Sequence, residues 1–206
     1  MFIKDVEKDR LNQFINKPVQ HYLPWRLVWK ADSLTTPCRP VFDASTNTRK
    51  RLDGSGGGRS LNDLLCKGRV DTLNLLKMII RFTIGSFAIT GDLQQFYCCC
   101  KLFAEEMNLT RFLYHPDLDT SKEPLECVFQ ALIYGLKSAS AQSEFMKTKL
   151  ADEIRDKYPE LALLLDESTY VDDMGESKEA KDAIETLEND ADHVFGELGI
   201  KVKAWS

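Results

Sequence analysis

Short apolar runs separated by turn residues divide the start of the chain into small elements. Residues 1–20 are mostly polar and predict a short helix. The aromatic-rich segment HYLPWRLVWK (residues 21–30) and the segment around Val41 and Phe42 predict extended strands. After the glycine-rich loop 52–60, Ser60 is placed to cap a helix, and leucines and isoleucines at helical spacing predict another over residues 71–81.

Strands and helices alternate through the rest of the chain. Pro159 is expected to stop one helix and Gly199 to cap another. The predicted elements are a buried strand 87–93, an apolar strand-like segment 96–103, a strand 126–131, an amphipathic helix 138–158, a hairpin in STYVDDMGES (168–177), a helix 178–198 and a strand 200–205.

From residue 87 onward this order fits an α+β fold with a ferredoxin-like, split βαβ antiparallel sheet that carries helices on one face. Such a sheet brings the end of one strand beside the turn of a hairpin. We therefore expect Asp92 to lie next to Asp172 and Asp173, although 80 residues separate Asp92 from Asp172.

Composition and charge narrow the class of protein. The chain has 206 residues and a net charge of −5, and no window approaches 18 uncharged apolar residues. We therefore expect a soluble, intracellular protein that makes no use of a membrane. Basic residues outnumber acidic ones by seven to three across residues 39–69, which suits contact with phosphate on one side; a solvated charged face is the alternative.

Cysteine spacing argues against a thiolate metal site. The six cysteines form no CxxC pair. Cys98, Cys99 and Cys100 lie in the apolar strand-like segment, where cysteine usually behaves as a small hydrophobic residue. An oxidation-sensitive site is the less favoured interpretation.

The adjacent carboxylates of Asp172 and Asp173 raise a chemical question, because like charges repel unless water or a cation neutralises them. A solvated turn is the simplest interpretation of an Asp-Asp pair. With Asp92 beside them, the pair would instead form an oxygen-rich site of the kind that Mg²⁺ prefers. Two such ions can activate a hydroxyl and stabilise a leaving pyrophosphate.

Four motifs in a fixed order carry a family resemblance. They are Arg-x-Val-x-Asp (39–43), Asp-Leu-x-x-x-Tyr (92–97), Tyr-Gly-Leu-Lys-Ser (134–138) and Tyr-Val-Asp-Asp (170–173). Together they resemble the reverse transcriptase family over residues 20–206. RPVFDAST, SLNDLL, RFTIGSFAITGDLQQFY, YGLKSAS and KVKAWS look most like retrotransposon enzymes of the Bel/Pao type.

The resemblance implies part of a right-hand polymerase. Residues 1–86 and 103–133 would form the fingers, and residues 87–102 and 134–206 the palm, with no thumb in this sequence. Asp92, the Leu93 carbonyl, Asp172 and Asp173 would hold Mg²⁺, with Mn²⁺ as an alternative, and the three aspartates would be catalytic.

The resemblance also implies contacts to the incoming nucleotide. Arg39 would hold the triphosphate, with a surface arginine as the alternative, and Lys30 is a weaker candidate beside it. Tyr97 matches the aromatic gate that excludes a ribose 2′-hydroxyl; packing within a strand is the alternative. Tyr134, Gly135 and Lys137 match the motif that precedes the helix beneath the nascent base pair. At Ser140 the sequence departs from the family, which often has proline there.

Template and primer contacts are implied for Arg51, Arg59, Asn62 and Tyr170, and an exposed basic loop is an equal alternative for the arginines. Lys201 and Lys203 are both candidates for the lysine that protonates pyrophosphate, and a solvated strand lysine is the favoured alternative for either one alone.

The resulting hypothesis is an enzyme that adds deoxynucleotides to a primer on an RNA or DNA template. It would be part of a larger polyprotein with a thumb and RNase H, located in the cytoplasm or in virus-like particles. The alternatives are a catalytically silent, truncated or domesticated module that binds nucleic acid or protein, and an RNA-dependent RNA polymerase, which Tyr97 disfavours.

Overall fold

The computed structural model describes residues 3–5, 20–31, 37–47, 58–69 and 75–206. Its strands are β1 (Ile3–Asp5), β2 (Trp25–Trp29), β3 (Cys38–Phe42), β4 (Phe87–Gln94), β5 (Arg111–Tyr114), β6 (Leu125–Phe129), β7 (Thr169–Tyr170), β8 (Asp173–Lys178) and β9 (Lys201–Trp205). Its α-helices are α1 (Leu61–Leu64), α2 (Leu75–Phe82), α3 (Phe96–Cys99), α4 (Ala104–Met107), α5 (Ala139–Ile154), α6 (Pro159–Glu167) and α7 (Lys181–Glu197).

The chain divides into two compact units. The first unit comprises Met1–Lys67 and Lys101–Ala139, and the second comprises Gly68–Cys100 and Ser140–Ser206. These divisions differ from the expected fingers and palm boundaries chiefly because α2 falls in the second unit. Assigning the units to fingers and palm stays a prediction.

In the described residues of the first unit, the strands form two antiparallel sheets. Strands β1, β6 and β5 form one, and β2 and β3 form a separate hairpin. Its core is aromatic: the Phe42 ring lies 4.6 Å from that of Phe129 and 5.0 Å from that of Phe112, both edge-to-face. The guanidinium of Arg111 is fully buried and is paired with Glu126 and with Asn108.

The second unit is built on a four-stranded antiparallel sheet in the order β7-β8-β4-β9. Leu93 and Met174 face a core shared with α5, α6 and α7, which cover that face of the sheet as expected. Helix α2 additionally packs on the opposite face at Gly175, where a Cβ atom would lie 3.3 Å from the Met78 methyl group. The predicted α+β fold with antiparallel sheets is confirmed.

Several local predictions differ from the structure. Residues 3–5 form a strand rather than part of a helix, because they pair with β6. The segment around Cys98 is helical, not extended: Gln95 has a φ of +54°, which ends β4 and turns the chain into α3. Helix α5 ends at Ile154 rather than at Pro159, and residues 159–167, for which no element was predicted, form α6, with Pro159 in its first turn, where the missing N–H costs nothing.

In the described residues, no helix is both long and apolar enough to cross a membrane.

Candidate active site

Two of the three predicted carboxylates lie on neighbouring strands. Asp92 of β4 is directly opposite Asp173 of β8 in the antiparallel register. Side chains alternate along a strand, so the burial of Leu93 in the core turns Asp92 toward the other face of the sheet. The Asp92 side chain is 40% exposed. Strand β4 therefore places the Asp92 carboxylate on the accessible face of the sheet.

The third carboxylate is held by the turn between β7 and β8. Tyr170 pairs with Asp173, which leaves Val171 and Asp172 as a two-residue turn. Val171 has a φ of +59°, a region that a β-branched residue rarely adopts. The backbone N–H of Leu93 donates to the Asp172 carbonyl at 2.8 Å. The turn is thereby tied to the end of β4, and Asp172 lies in the same small region as Asp92 and Asp173.

The electrostatics of this region favour a cation. Burial raises the pKa of Asp172, the charges of Asp173 and Asp92 raise it further, and a hydrogen bond from its own backbone N–H partly offsets these effects. The ammonium of Lys203 on β9 lies 3.4 Å from an Asp92 carboxylate oxygen. Lys201, in contrast, pairs with Gln94 beyond the carboxylates.

The donor chemistry fits a hard divalent cation, because it consists of carboxylate oxygens that repel one another without a positive charge. Within the described part of the chain, however, no three Asp, Glu, His or Cys side chains already converge in a metal-holding arrangement. The backbone thus brings the three aspartates together, and their side chains would have to turn inward to share an ion.

A cavity of about 490 Å³ adjoins the carboxylates. Asp92, Asp173 and Lys203 line its polar end, and α2 contributes an apolar wall. The described lining residues on that wall are Leu75, Met78, Ile79 and Phe82.

In the first unit, the β2-β3 hairpin gathers basic side chains on one face. Arg39 pairs with Val28, and the Lys30 N–H continues the ladder by donating to the Pro37 carbonyl. Strand alternation places Arg39 and Lys30 on the same face, together with Arg26. Arg26 was not predicted from the sequence, because its place beside Arg39 depends on the pairing of β2 with β3.

Asn62 and Gly135, predicted to contact nucleic acid and nucleotide, are hydrogen-bonded to each other in the structure. The Asn62 side chain donates to the Gly135 carbonyl at 2.8 Å and accepts from the Lys137 N–H at 2.7 Å. Gly135 has a φ of +96°, and a Cβ there would lie 3.0 Å from the Phe42 carbonyl oxygen. Asn62 therefore clamps the YGLK loop, and its predicted contact with template or primer stays a prediction.

The remaining predicted residues are placed as follows. Tyr97, on α3, is buried, and its hydroxyl lies 3.5 Å from that of Ser140. Tyr170 is 38% exposed beside the turn, and Tyr134 and Arg59 are exposed in the first unit. Arg51 lies outside the described residues.

Comparison with solved structures identifies the fold. The chain is similar to the foamy viral protease-reverse transcriptase in complex with an RNA/DNA hybrid, with a TM-score of 0.61 and 17% identity over 89% of this chain. This is a reverse-transcriptase-like fold. Native prototype foamy virus protease-reverse transcriptase and its selenomethionine-labelled CSH mutant give TM-scores of 0.58 and 0.59 at 19% and 18% identity, each over 95% of this chain.

The chain spans only 20% to 22% of the length of these reverse transcriptases. No protein-family model matches it, and neither does any curated protein. The similarity therefore supports a reverse-transcriptase-like arrangement of strands and helices at low sequence identity.

Proposed function

We propose that this chain carries the nucleotidyl-transfer site of an RNA-directed DNA polymerase. The observation that supports it most strongly is the register that sets Asp92 opposite Asp173, with Asp172 bonded through its carbonyl to Leu93. One structural neighbour binds an RNA/DNA hybrid. We extend that class of partner to this chain and propose a primer annealed to an RNA or DNA template.

In the proposed reaction the primer 3′-oxygen attacks the α-phosphorus of a deoxynucleoside triphosphate. A new P–O bond forms, the bond to the bridging oxygen of the β-phosphate breaks, and pyrophosphate leaves. Mg²⁺ or Mn²⁺, held by Asp92, Asp172, Asp173 and the Leu93 carbonyl, would neutralise phosphate charge and lower the pKa of the 3′-hydroxyl.

The leaving pyrophosphate gains a proton as the 3′-hydroxyl loses one. Of the two lysines considered from the sequence, Lys203 is favoured as the donor because its ammonium already contacts Asp92 at 3.4 Å. On the β2-β3 hairpin, Arg39, Lys30 and Arg26 form a basic face suited to a triphosphate. Tyr97 is proposed as the residue that selects against a 2′-hydroxyl.

Extension of a primer on an RNA template by one deoxynucleotide tests the proposal. We expect the wild type to extend the primer and Asp172→Asn to fold but lose at least about 100-fold in rate, since it removes charge that acts in the transition state. Asp156→Asn, at an exposed aspartate of the same unit, is the matched control. Extension by Asp172→Asn at the wild-type rate would refute the assignment.

A second candidate is a catalytically silent module that retains the fold and binds nucleic acid. The Lys203 ammonium at Asp92 supports it, because an internal cation would compete with a metal ion. Template binding without extension by the wild type would favour this alternative.

The finer assignment is also part of the proposal. It comprises the Bel/Pao retrotransposon type, the fingers and palm portion of a polyprotein with a thumb and RNase H, and a cytoplasmic or particle-enclosed location. The motifs quoted from the sequence support the retrotransposon type.

A further inference from the structure

A buried lysine lies beneath the aspartate turn. Lys147 is on α5 and is only 2% exposed, which is rare for lysine because burial of an ammonium is unfavourable unless its hydrogen bonds are satisfied. Its Nζ lies 2.9 Å from a carboxylate oxygen of Glu144, one turn earlier on the same helix. The same Nζ donates to the backbone carbonyl of Thr169 at 3.0 Å. A paired ammonium is therefore directed at the strand that leads to Asp172.

The geometry of β7 explains why this carbonyl is available. The Gly175 N–H donates to the Ser168 carbonyl at 2.9 Å, so Ser168 and Gly175 form a hydrogen-bonded pair. Pairs alternate in an antiparallel ladder, which makes Thr169 and Met174 a non-hydrogen-bonded pair. The Thr169 carbonyl consequently points away from β8, at the edge of the sheet, where α5 supplies the donor.

The turn needs such an anchor. Strand β7 has only two residues, so few ladder hydrogen bonds hold it, and the following Val171 has the disfavoured φ of +59°. On one side the turn is fixed by the Leu93 N–H at the Asp172 carbonyl. Lys147 fixes the other side, three residues before Asp172. The two bonds hold the strained turn from both ends.

We propose that Lys147 is a positioning residue for the aspartate pair: its ammonium, oriented by Glu144, fixes the Thr169 carbonyl and thereby sets Asp172 and Asp173 against Asp92. This inference rests on the proposed function and adds a residue that touches neither nucleotide nor primer. A lysine that only fills the core would contribute to stability alone.

Variant design separates these two roles. Lys147→Met keeps the length of the side chain but leaves the partly buried carboxylate of Glu144 without its cation. Lys147→Met combined with Glu144→Leu removes both charges, a replacement that often restores or raises stability. Lys149→Met, at an exposed lysine on the same helix, is the matched control.

The first readout is single-turnover primer extension with deoxynucleotide titration. We expect the maximal rate of both Lys147 variants to fall by about 10- to 100-fold, because small displacements of reacting groups have effects of this size. The apparent nucleotide affinity should change by less than about twofold, and Lys149→Met should match the wild type in both quantities. A double variant with wild-type thermal stability and wild-type maximal rate would overturn the proposal.

The second readout does not depend on catalysis. Hydrogen exchange of the Leu93 amide reports its hydrogen bond to the Asp172 carbonyl in the turn, and exchange of the Gly175 amide reports its bond to the Ser168 carbonyl beside β7. We expect exchange at both amides to accelerate at least about tenfold in the double variant, with the amides of α7 unchanged. Accelerated exchange in a chain that never extends a primer would refute the proposed function and uphold the positioning role. Unchanged exchange would refute the positioning role, whatever the activity.

Discussion

Neutralising Asp172 should stabilise the fold at neutral pH. Burial and the neighbouring charges of Asp173 and Asp92 raise the pKa of Asp172. Between its unfolded and folded pKa values the folded chain therefore binds more protons than the unfolded chain. By linkage, the free energy of unfolding falls as the pH rises through that window. Asparagine does not titrate, so the stability of Asp172→Asn does not fall in this way.

The expected increase in the free energy of unfolding is modest, because the Asp172 side chain is only partly buried. Solvent screening limits it to about 0.5–1 kcal/mol at pH 7. For a chain of this size, ~1 kcal/mol corresponds to roughly 2–4 °C in melting temperature. The gain should vanish below the ordinary aspartate pKa of about 4, where the wild-type carboxyl is protonated in both states.

Urea unfolding at pH 7 and pH 3 measures this effect, with Asp156→Asn as the exposed control. Millimolar Mg²⁺ should raise the stability of the wild type more than that of Asp172→Asn, since a cation relieves the same repulsion. The reasoning fails if Asp172→Asn is less stable than the wild type at pH 7, or if its gain is the same at both pH values.

Three further predictions concern other residues. Gly91→Ala would put a Cβ 2.7 Å from the Trp205 ring and should reduce the free energy of unfolding by about 1–3 kcal/mol. Adding Trp205→Leu should recover most of this stability. If the two substitutions instead reduce the free energy of unfolding additively, the packing of β4 against β9 is contradicted. Tyr97→Ala should raise ribonucleotide incorporation relative to deoxynucleotide, and an unchanged ratio would remove its role as a gate. Asn62→Ala should reduce the free energy of unfolding by about 0.5–1.5 kcal/mol in urea unfolding, because it removes the hydrogen bonds to the Gly135 carbonyl and the Lys137 N–H, which are exposed enough for water to replace in part. No change would exclude the clamp.

The sequence predicted the elements of the second unit well where the hydrophobic periodicity and the length of a segment indicate the same kind of element. Strand β4, the aspartate hairpin, α7 and β9 were each predicted within a few residues, because buried strands and amphipathic helices carry distinct periodicities. The adjacency of Asp92 and Asp173 followed from the expected sheet order, and the register confirms it.

Other features could not be predicted from local pattern. Lys147 and Arg111 are charged residues that sequence periodicity assigns to solvent, yet both are buried because partners distant in sequence or a turn away satisfy them. The left-handed conformation of Gln95, which ends β4, is not signalled by its residue type, since glutamine rarely adopts a positive φ. The basic face formed by Arg26 required the pairing of β2 with β3, which composition does not specify.

The central claim is that Asp92, Asp172 and Asp173 form one cation site. Electron paramagnetic resonance of Mn²⁺, titrated into the chain with a dideoxy-terminated primer, its template and the next deoxynucleotide, tests it most directly. Because the triphosphate and the nucleic acid bind Mn²⁺ themselves, the loss of free Mn²⁺ signal is measured relative to the same mixture without protein. The account predicts an additional loss with the wild type and with Asp156→Asn, and little additional loss with Asp92→Asn combined with Asp172→Asn. Equal Mn²⁺ binding by the wild type and the double variant would contradict it.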